Sequence, residues 1–206
     1  MQQRSEPHNS LDDFPTPPWS TRAILSELDK LLLTARFNSC REPCANRGYM
    51  VRPLREYFET IEALDIFDYG AGYRQQDYLF GPAPDPVDWT FMNPPFKLAQ
   101  QFIERAIETS RVGVACIVRS AFTEGVDRFN TLYSKTPPDY VFQHTERVPM
   151  VKGRYDPKAS TATSYCWLVW LKDGLGDTRL RWIPPCRKRL ERAGDAAWGE
   201  VGVVAA

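Results

Sequence analysis

The sequence predicts an α/β fold built on an open sheet, and three observations carry that prediction. Val87-Asp88-Trp89-Thr90-Phe91-Met92 is an apolar run of strand length. Asn93-Pro94-Pro95-Phe96 ends it at once, because proline cannot donate to a sheet ladder and holds the residue before it extended. Residues 97–107 then place apolar side chains at 98, 99, 102, 103, 106 and 107, which is helical spacing. A strand, a rigid corner and an amphipathic helix follow one another. In an open α/β sheet such a corner lies at the carboxyl end of its strand, where ligands bind.

The other elements follow in chain order. Residues 1–13 are polar and predict a loose tail. Phe14-Pro15-Thr16-Pro17-Pro18-Trp19 leads into a periodic helix over Ser20 to Leu33, with Ser20 or Thr21 as N-cap. Arg36 to Cys40 is a weak strand, followed by the loop Arg41 to Met50 and a helix over Val51 to Thr60. Ile61 to Ile66 is a short apolar segment carrying Asp65. Phe67-Asp68-Tyr69-Gly70-Ala71-Gly72 mimics a glycine loop, but no helix pattern follows it. Val112 to Arg119 is the strongest strand pattern, and Arg119 at its carboxyl end can meet a phosphate or an acid. Tyr140-Val141-Phe142 and Tyr165 to Leu171 read as two further strands, joined by a long segment, Thr145 to Thr163, rich in basic residues. Gly199 to Ala206 predicts a frayed end, which leaves one domain over residues 14–198.

The corner suits the chemistry of a planar amino group. Such a nitrogen is a poor nucleophile because its lone pair is delocalised. A site helps by accepting both N–H hydrogens, one at the Asn93 amide oxygen and one at the Pro94 carbonyl. The nitrogen then pyramidalises and aims its lone pair at an incoming carbon. Pro94 and Pro95 fix the acceptors in advance. Phe96 offers a flat surface for a base, and a duplex substrate has to be flipped to reach it. A plain Pro-rich turn is the competing reading, since Pro-Pro recurs at 17–18, 137–138 and 184–185.

Asn93-Pro94-Pro95-Phe96 resembles the motif of the amino-group methyltransferases that use S-adenosylmethionine, chiefly the DNA adenine-N6 enzymes. From about Phe14 to Arg192 the chain is similar to small phage and prophage adenine methyltransferases. The resemblance implies a Rossmann-like class I methyltransferase fold: a mostly parallel sheet, a terminal antiparallel hairpin made by the 140 and 165 strands, and helices on both faces. It implies Asn93, Pro94, Pro95 and Phe96 as the catalytic set. It implies S-adenosylmethionine as cofactor, held by Thr16 and Pro17, by Glu42, Pro43, Cys44, Asn46 and Gly48, by Asp65 and Ile66, by Asp77 and Tyr78, and by Asn93. Asn46 stands where the family has glycine, but Asn is the next most tolerant residue of a left-handed backbone. Asp65 lies about 20 residues after the loop, the spacing of a ribose-binding acid, and Asp68 is its rival.

Composition narrows partners and compartment. There is no apolar stretch of membrane-spanning length and no signal peptide, so a cytoplasmic location in a bacterial or phage-infected cell is expected. Five irregularly spaced cysteines and two histidines argue against a zinc site and for a reducing compartment. Net charge is zero, yet residues 1–146 carry 15 basic and 20 acidic side chains while 147–206 carry 11 and 6. That basic third predicts a phosphate-facing rim for a DNA partner, duplex or single-stranded. No insertion is large enough for a separate target-recognition domain, so the loops, a second copy or a partner subunit must read the target. The alternatives are another planar amino group (cytosine N4, an RNA adenine, a protein glutamine) or a non-catalytic nucleic-acid-binding protein with the same fold.

Overall fold

The computed structural model describes residues 12–31 and 38–199. Among them one sheet contains eight strands: β1 (Ser39–Glu42), β2 (Thr60–Asp65), β3 (Arg74–Gln75), β4 (Val87–Met92), β5 (Ser110–Arg119), β6 (Tyr140–His144), β7 (Tyr165–Leu171) and β8 (Arg179–Ile183). Their spatial order is β3-β2-β1-β4-β5-β7-β6-β8. All neighbours pair in parallel except β7, which runs antiparallel to both β5 and β6. This is a Rossmann-like, class I methyltransferase sheet with the expected antiparallel β6–β7 pair. An eighth strand, β8, continues beyond that pair on the edge.

Two layers of helix cover the sheet, so central strands are buried on both faces and read as apolar runs rather than alternations. On one face α1 (Pro18–Lys30) places Trp19, Ile24, Leu25 and Leu28 against Trp89, Phe91, Ile117, Phe142 and Trp167. On the other, α3 (Ala99–Glu108) places Phe102, Ile103 and Ala106 against Met92, Val114, Cys116 and Leu168. Gly113 of β5 lets the Trp89 ring lie flat on the strand, since a Cβ there would sit 2.7 Å from that ring.

Several elements depart from expectation for local physical reasons. The first strand is β1, three residues later than the Arg36–Cys40 segment, whose residues 36–37 lie outside the described chain. It looks polar yet is buried: Arg41 is fully buried, its guanidinium donating to Glu62 (2.7 Å) and to Thr109 (3.3 Å). The first helix starts at Pro18 with Pro17 as cap, and proline suits that place because the first helical N–H has no partner anyway. Ser20 is not the cap. Its hydroxyl turns inward to His144 Nε2 (2.9 Å) and accepts from Trp167 Nε1 (3.3 Å). Residues 32–33 of the expected helix lie outside the described chain. The helix expected over 51–60 is one short turn, α2 (Val51–Leu54). Beyond it the chain tightens through Glu56 N–H to Pro53 and Tyr57 N–H to Leu54, which swings Phe58 into the core beside Phe91. Two further short helices, α4 (Val126–Arg128) and α5 (Arg187–Leu190), follow β5 and β8. No helix among the described residues is long and apolar enough to cross a membrane.

Candidate functional site

The carboxyl ends of β1, β2 and β4 converge on a cleft. Thr16, Glu42, Pro43, Cys44, Asn46, Asp65, Ile66, Asp77, Tyr78, Asn93 and Pro95 line it. Pro17, Gly48, Pro94 and Phe96 do not, although each adjoins a lining segment. Asp68 also stays outside, accepting the Gly70 N–H (2.8 Å) in its own turn.

The loop after β1 is shaped by its backbone. Asn46 adopts a left-handed conformation (φ +48°), which Asn tolerates better than most non-glycine residues. Its side chain is employed there: Nδ2 donates to Asp13 (2.7 Å) and Oδ1 accepts the Arg47 N–H (2.7 Å). Its N–H donates to Asp65 Oδ2 (2.9 Å), tying the β1 loop to the end of β2. Gly48 (φ +88°) is required for space as well as conformation, since a Cβ would fall 2.2 Å from the Tyr73 hydroxyl. Asp12 and Asp13, assigned by composition to a loose tail, are built into the site. Asp13 is buried and also pairs with Arg47 (3.0 Å), while Asp12 accepts the Phe96 N–H (3.0 Å).

The lining has a distinctive charge. Asp12, Glu42, Asp65 and Asp77 contribute four carboxylates, and no lining residue carries a basic side chain. Glu42, at the end of β1, is only 1% exposed. One of its oxygens accepts the Cys44 N–H (3.2 Å), while Oε2 is buried without a partner among the described residues. Burial, reinforced by the charge of Asp65, pushes the Glu42 carboxyl well above its ordinary range. Burial also raises Asp65, against the N–H groups of Phe67 and Asn46 that pull it down. The Thr16 hydroxyl is a second buried, unpartnered polar atom on this lining.

At the corner, the Asn93 amide has a fixed sense. Its Nδ2 donates to the Phe14 carbonyl oxygen (2.8 Å) and contacts Met150 Sδ (3.8 Å). A carbonyl accepts only from the NH₂ side, so the amide oxygen faces the other way. Oδ1 accepts nothing among the described residues. Phe96 packs against Phe14 (ring centroids 5.8 Å), and the Arg119 guanidinium lies 4.0 Å from its ring centroid. The surface expected for a base is therefore covered by a cation. The roles of Phe14 and Met150 as holders of Asn93 were missed in the sequence, because backbone acceptors and thioethers carry no motif. Met150 lies in the long 145–163 loop, whose length was its one visible signal.

All five cysteines are free thiols: Cys44 on the cleft lining, the others buried. Among the described residues no cluster of three or more His, Cys, Asp or Glu is arranged to hold a metal ion.

No protein-family description matches this sequence. No curated protein matches it either. Solved structures do. A protein of Pyrococcus horikoshii described as an RNA methyltransferase superposes with a TM-score of 0.58 at 15% identity, over 82% of this chain and 91% of its own. The methyltransferase subunit of a type I restriction-modification system from Streptococcus thermophilus gives 0.63 at 11% identity, over 93% of this chain. The present chain spans about half (52%) of that subunit. A hemolysin-like protein of Lactococcus lactis gives 0.52 at 12% identity, over 84% of this chain and 95% of its own. At these identities the likeness concerns the fold.

Proposed function

We propose that this protein transfers a methyl group from S-adenosylmethionine to the N6 amino group of adenine in DNA. The observation that carries the reading is the junction of an acid-lined cleft with an amide oxygen left free at Asn93.

Electrostatics selects the cofactor class. A cleft with four carboxylates and no basic side chain disfavours nucleoside phosphates and favours a cationic ligand rich in hydroxyls. S-Adenosylmethionine is such a ligand, and when bound it would supply a sulfonium methyl. The residues fit it. Glu42 Oε2, buried without a partner, is placed to accept from an ammonium group, and the unpartnered Thr16 hydroxyl lies on the same lining. Asp65 and Asp77 are the acceptors for ribose hydroxyls and an adenine amino group. The unpartnered, buried Glu42 oxygen costs free energy that pairing with a cation offsets.

On the acceptor side, Asn93 Oδ1 and the Pro94 carbonyl take one hydrogen each from an amino nitrogen. The Phe14 carbonyl prevents the Asn93 amide from turning, so the oxygen is presented before any substrate arrives. Phe96 stacks the base once Arg119 has left its ring. The fold neighbours described as an RNA methyltransferase and a restriction-modification subunit support a nucleic acid as acceptor.

The test joins calorimetry with incorporation of labelled methyl groups. S-Adenosylmethionine should bind the protein, and adenine in DNA should acquire the label. Asn93→Ala should retain cofactor binding and lose incorporation by at least about 100-fold, the cost of one oriented transition-state partner. Absence of cofactor binding at millimolar concentration would sink the reading, as would full incorporation by Asn93→Ala.

A further inference from the structure

The corner has a second flank with the opposite electrostatic character. Beside the outward side of α3, Phe96, Lys97, Phe122, Arg128 and Thr131 line an open groove. Phe96 belongs to this groove and not to the acidic cleft, so the corner separates the two. Two guanidinium groups lie over aromatic rings here. Arg119 Cζ sits 4.0 Å from the Phe96 centroid, and Arg128 Cζ sits 4.0 Å from that of Phe122. Arg119, the last residue of β5, is exposed and makes no ion pair among the described residues. Arg128 is anchored by donating to the Phe122 carbonyl (2.8 Å), so its position is part of the turn after β5. The acid on this lining, Glu104, is engaged by Gln100 Nε2 (2.9 Å).

Cations alternating with flat rings are what a single nucleic-acid strand requires: the rings stack bases and the cations meet phosphates. We propose that this groove holds the single-stranded nucleotides flanking the target base. A base stacks on the anchored Arg128 guanidinium, which the Phe122 ring supports from beneath, and Arg119 transfers from the Phe96 ring to a backbone phosphate. The exchange favours binding, because a guanidinium gains a charge-assisted fork to phosphate in place of an exposed contact with a ring. It also unmasks Phe96 only when a strand is present. Arg119 is thus a positioning residue that couples strand arrival to an open stacking surface. The inference rests on the methyl-acceptor reading for the identity of the base, while the groove's own charge and rings argue for the strand.

The test uses the full chain and a fluorescein-labelled single-stranded DNA oligonucleotide containing adenine, with affinity followed by anisotropy across a salt series. Arg119→Gln should weaken binding about tenfold and lower the slope of log affinity against log salt by about 0.7, one phosphate contact on a single strand. Phe122→Leu should weaken binding about tenfold with the slope unchanged, as loss of the ring beneath a stacking platform predicts. Both variants should still melt cooperatively and keep the wild-type S-adenosylmethionine affinity. Wild-type affinity and slope in both variants would overturn the proposal. So would failure of the wild-type protein to bind the oligonucleotide while it binds a glutamine-containing peptide. Oligonucleotide binding that responds to the two variants in a protein that incorporates no methyl would uphold the groove and reject the activity. Methyl incorporation by wild type with oligonucleotide binding blind to both substitutions would do the reverse.

Discussion

Glu42 concentrates the site's conflict in one side chain. A carboxylate buried to 1% exposure with one oxygen unpartnered opposes folding. Its folded pKa stands well above the ordinary 4.5. The unfolded chain therefore releases this proton at a pH where the folded chain still holds it. Stability contributed by the neutral form is complete below about 4.5 and is lost as pH rises toward the folded value. Glu42→Gln removes that loss and should raise the urea midpoint at pH 8. The same change should weaken S-adenosylmethionine by at least about tenfold in calorimetry, since the amide cannot pair with a cation as a carboxylate does. A destabilised variant with unchanged cofactor affinity would show that Glu42 is merely a core residue. Asn46 illustrates what was legible at this scale. Its tolerance of a left-handed turn could be read from its type, and φ is +48°. Its grip on Asp13 could not, because composition placed Asp13 in a tail.

At the scale of elements, the corner and its flanks were the most readable part of the chain, because each obeys one local rule: an apolar run, two prolines, a 3.6-residue period. Elements whose logic is long-range were not. β1 hides its burial behind Arg41 and Glu42, and the reason lies in Glu62 and Thr109 on other segments. β8 is an exposed edge strand, so its Arg179-Leu180-Arg181-Trp182 pattern reads as charged surface. α1 carries the longest-range ties. Arg22 on it forms paired bonds with the fully buried Asp195 (2.8 and 2.9 Å), fastening the chain's last described segment to the helix. His144, ending β6, abuts α1 through Ser20 and Trp19. Burial drives its pKa down to about 4. Below about 6.5 the unfolded chain gains a proton here that the folded chain refuses until about pH 4. Stability is complete above that window and should fall by on the order of 3 kcal/mol through it. His144→Gln should flatten this part of the pH–stability curve in urea titrations, and an unchanged slope would place the acid sensitivity elsewhere.

On the scale of the whole molecule, a chain of zero net charge presents an acid-lined cleft and a cation-bearing groove on either flank of one corner. The cationic donor and polyanionic acceptor of the proposed methyl transfer would each meet a matching field without any global excess of charge. The sheet that supports them is assembled out of chain order at its far side, where β7 enters between β5 and β6. Both apolar faces of β7 are buried. A chain cut after His144 should consequently lack the central partner of β5 and show no cooperative thermal transition by circular dichroism. A cooperative melt in that fragment would mean that the first six strands fold as a unit.

That interleaving also has a history in each copy of the molecule. Roughly 50 residues separate the end of β5 at Arg119 from the end of β7 at Leu171. At about 5–20 residues per second, the ribosome takes about 3–10 s to supply the partner strand. For that interval β5, among the most apolar strands in the protein, offers an open edge to any neighbour. Slower translation across the 120–171 stretch lengthens that exposure and faster translation shortens it.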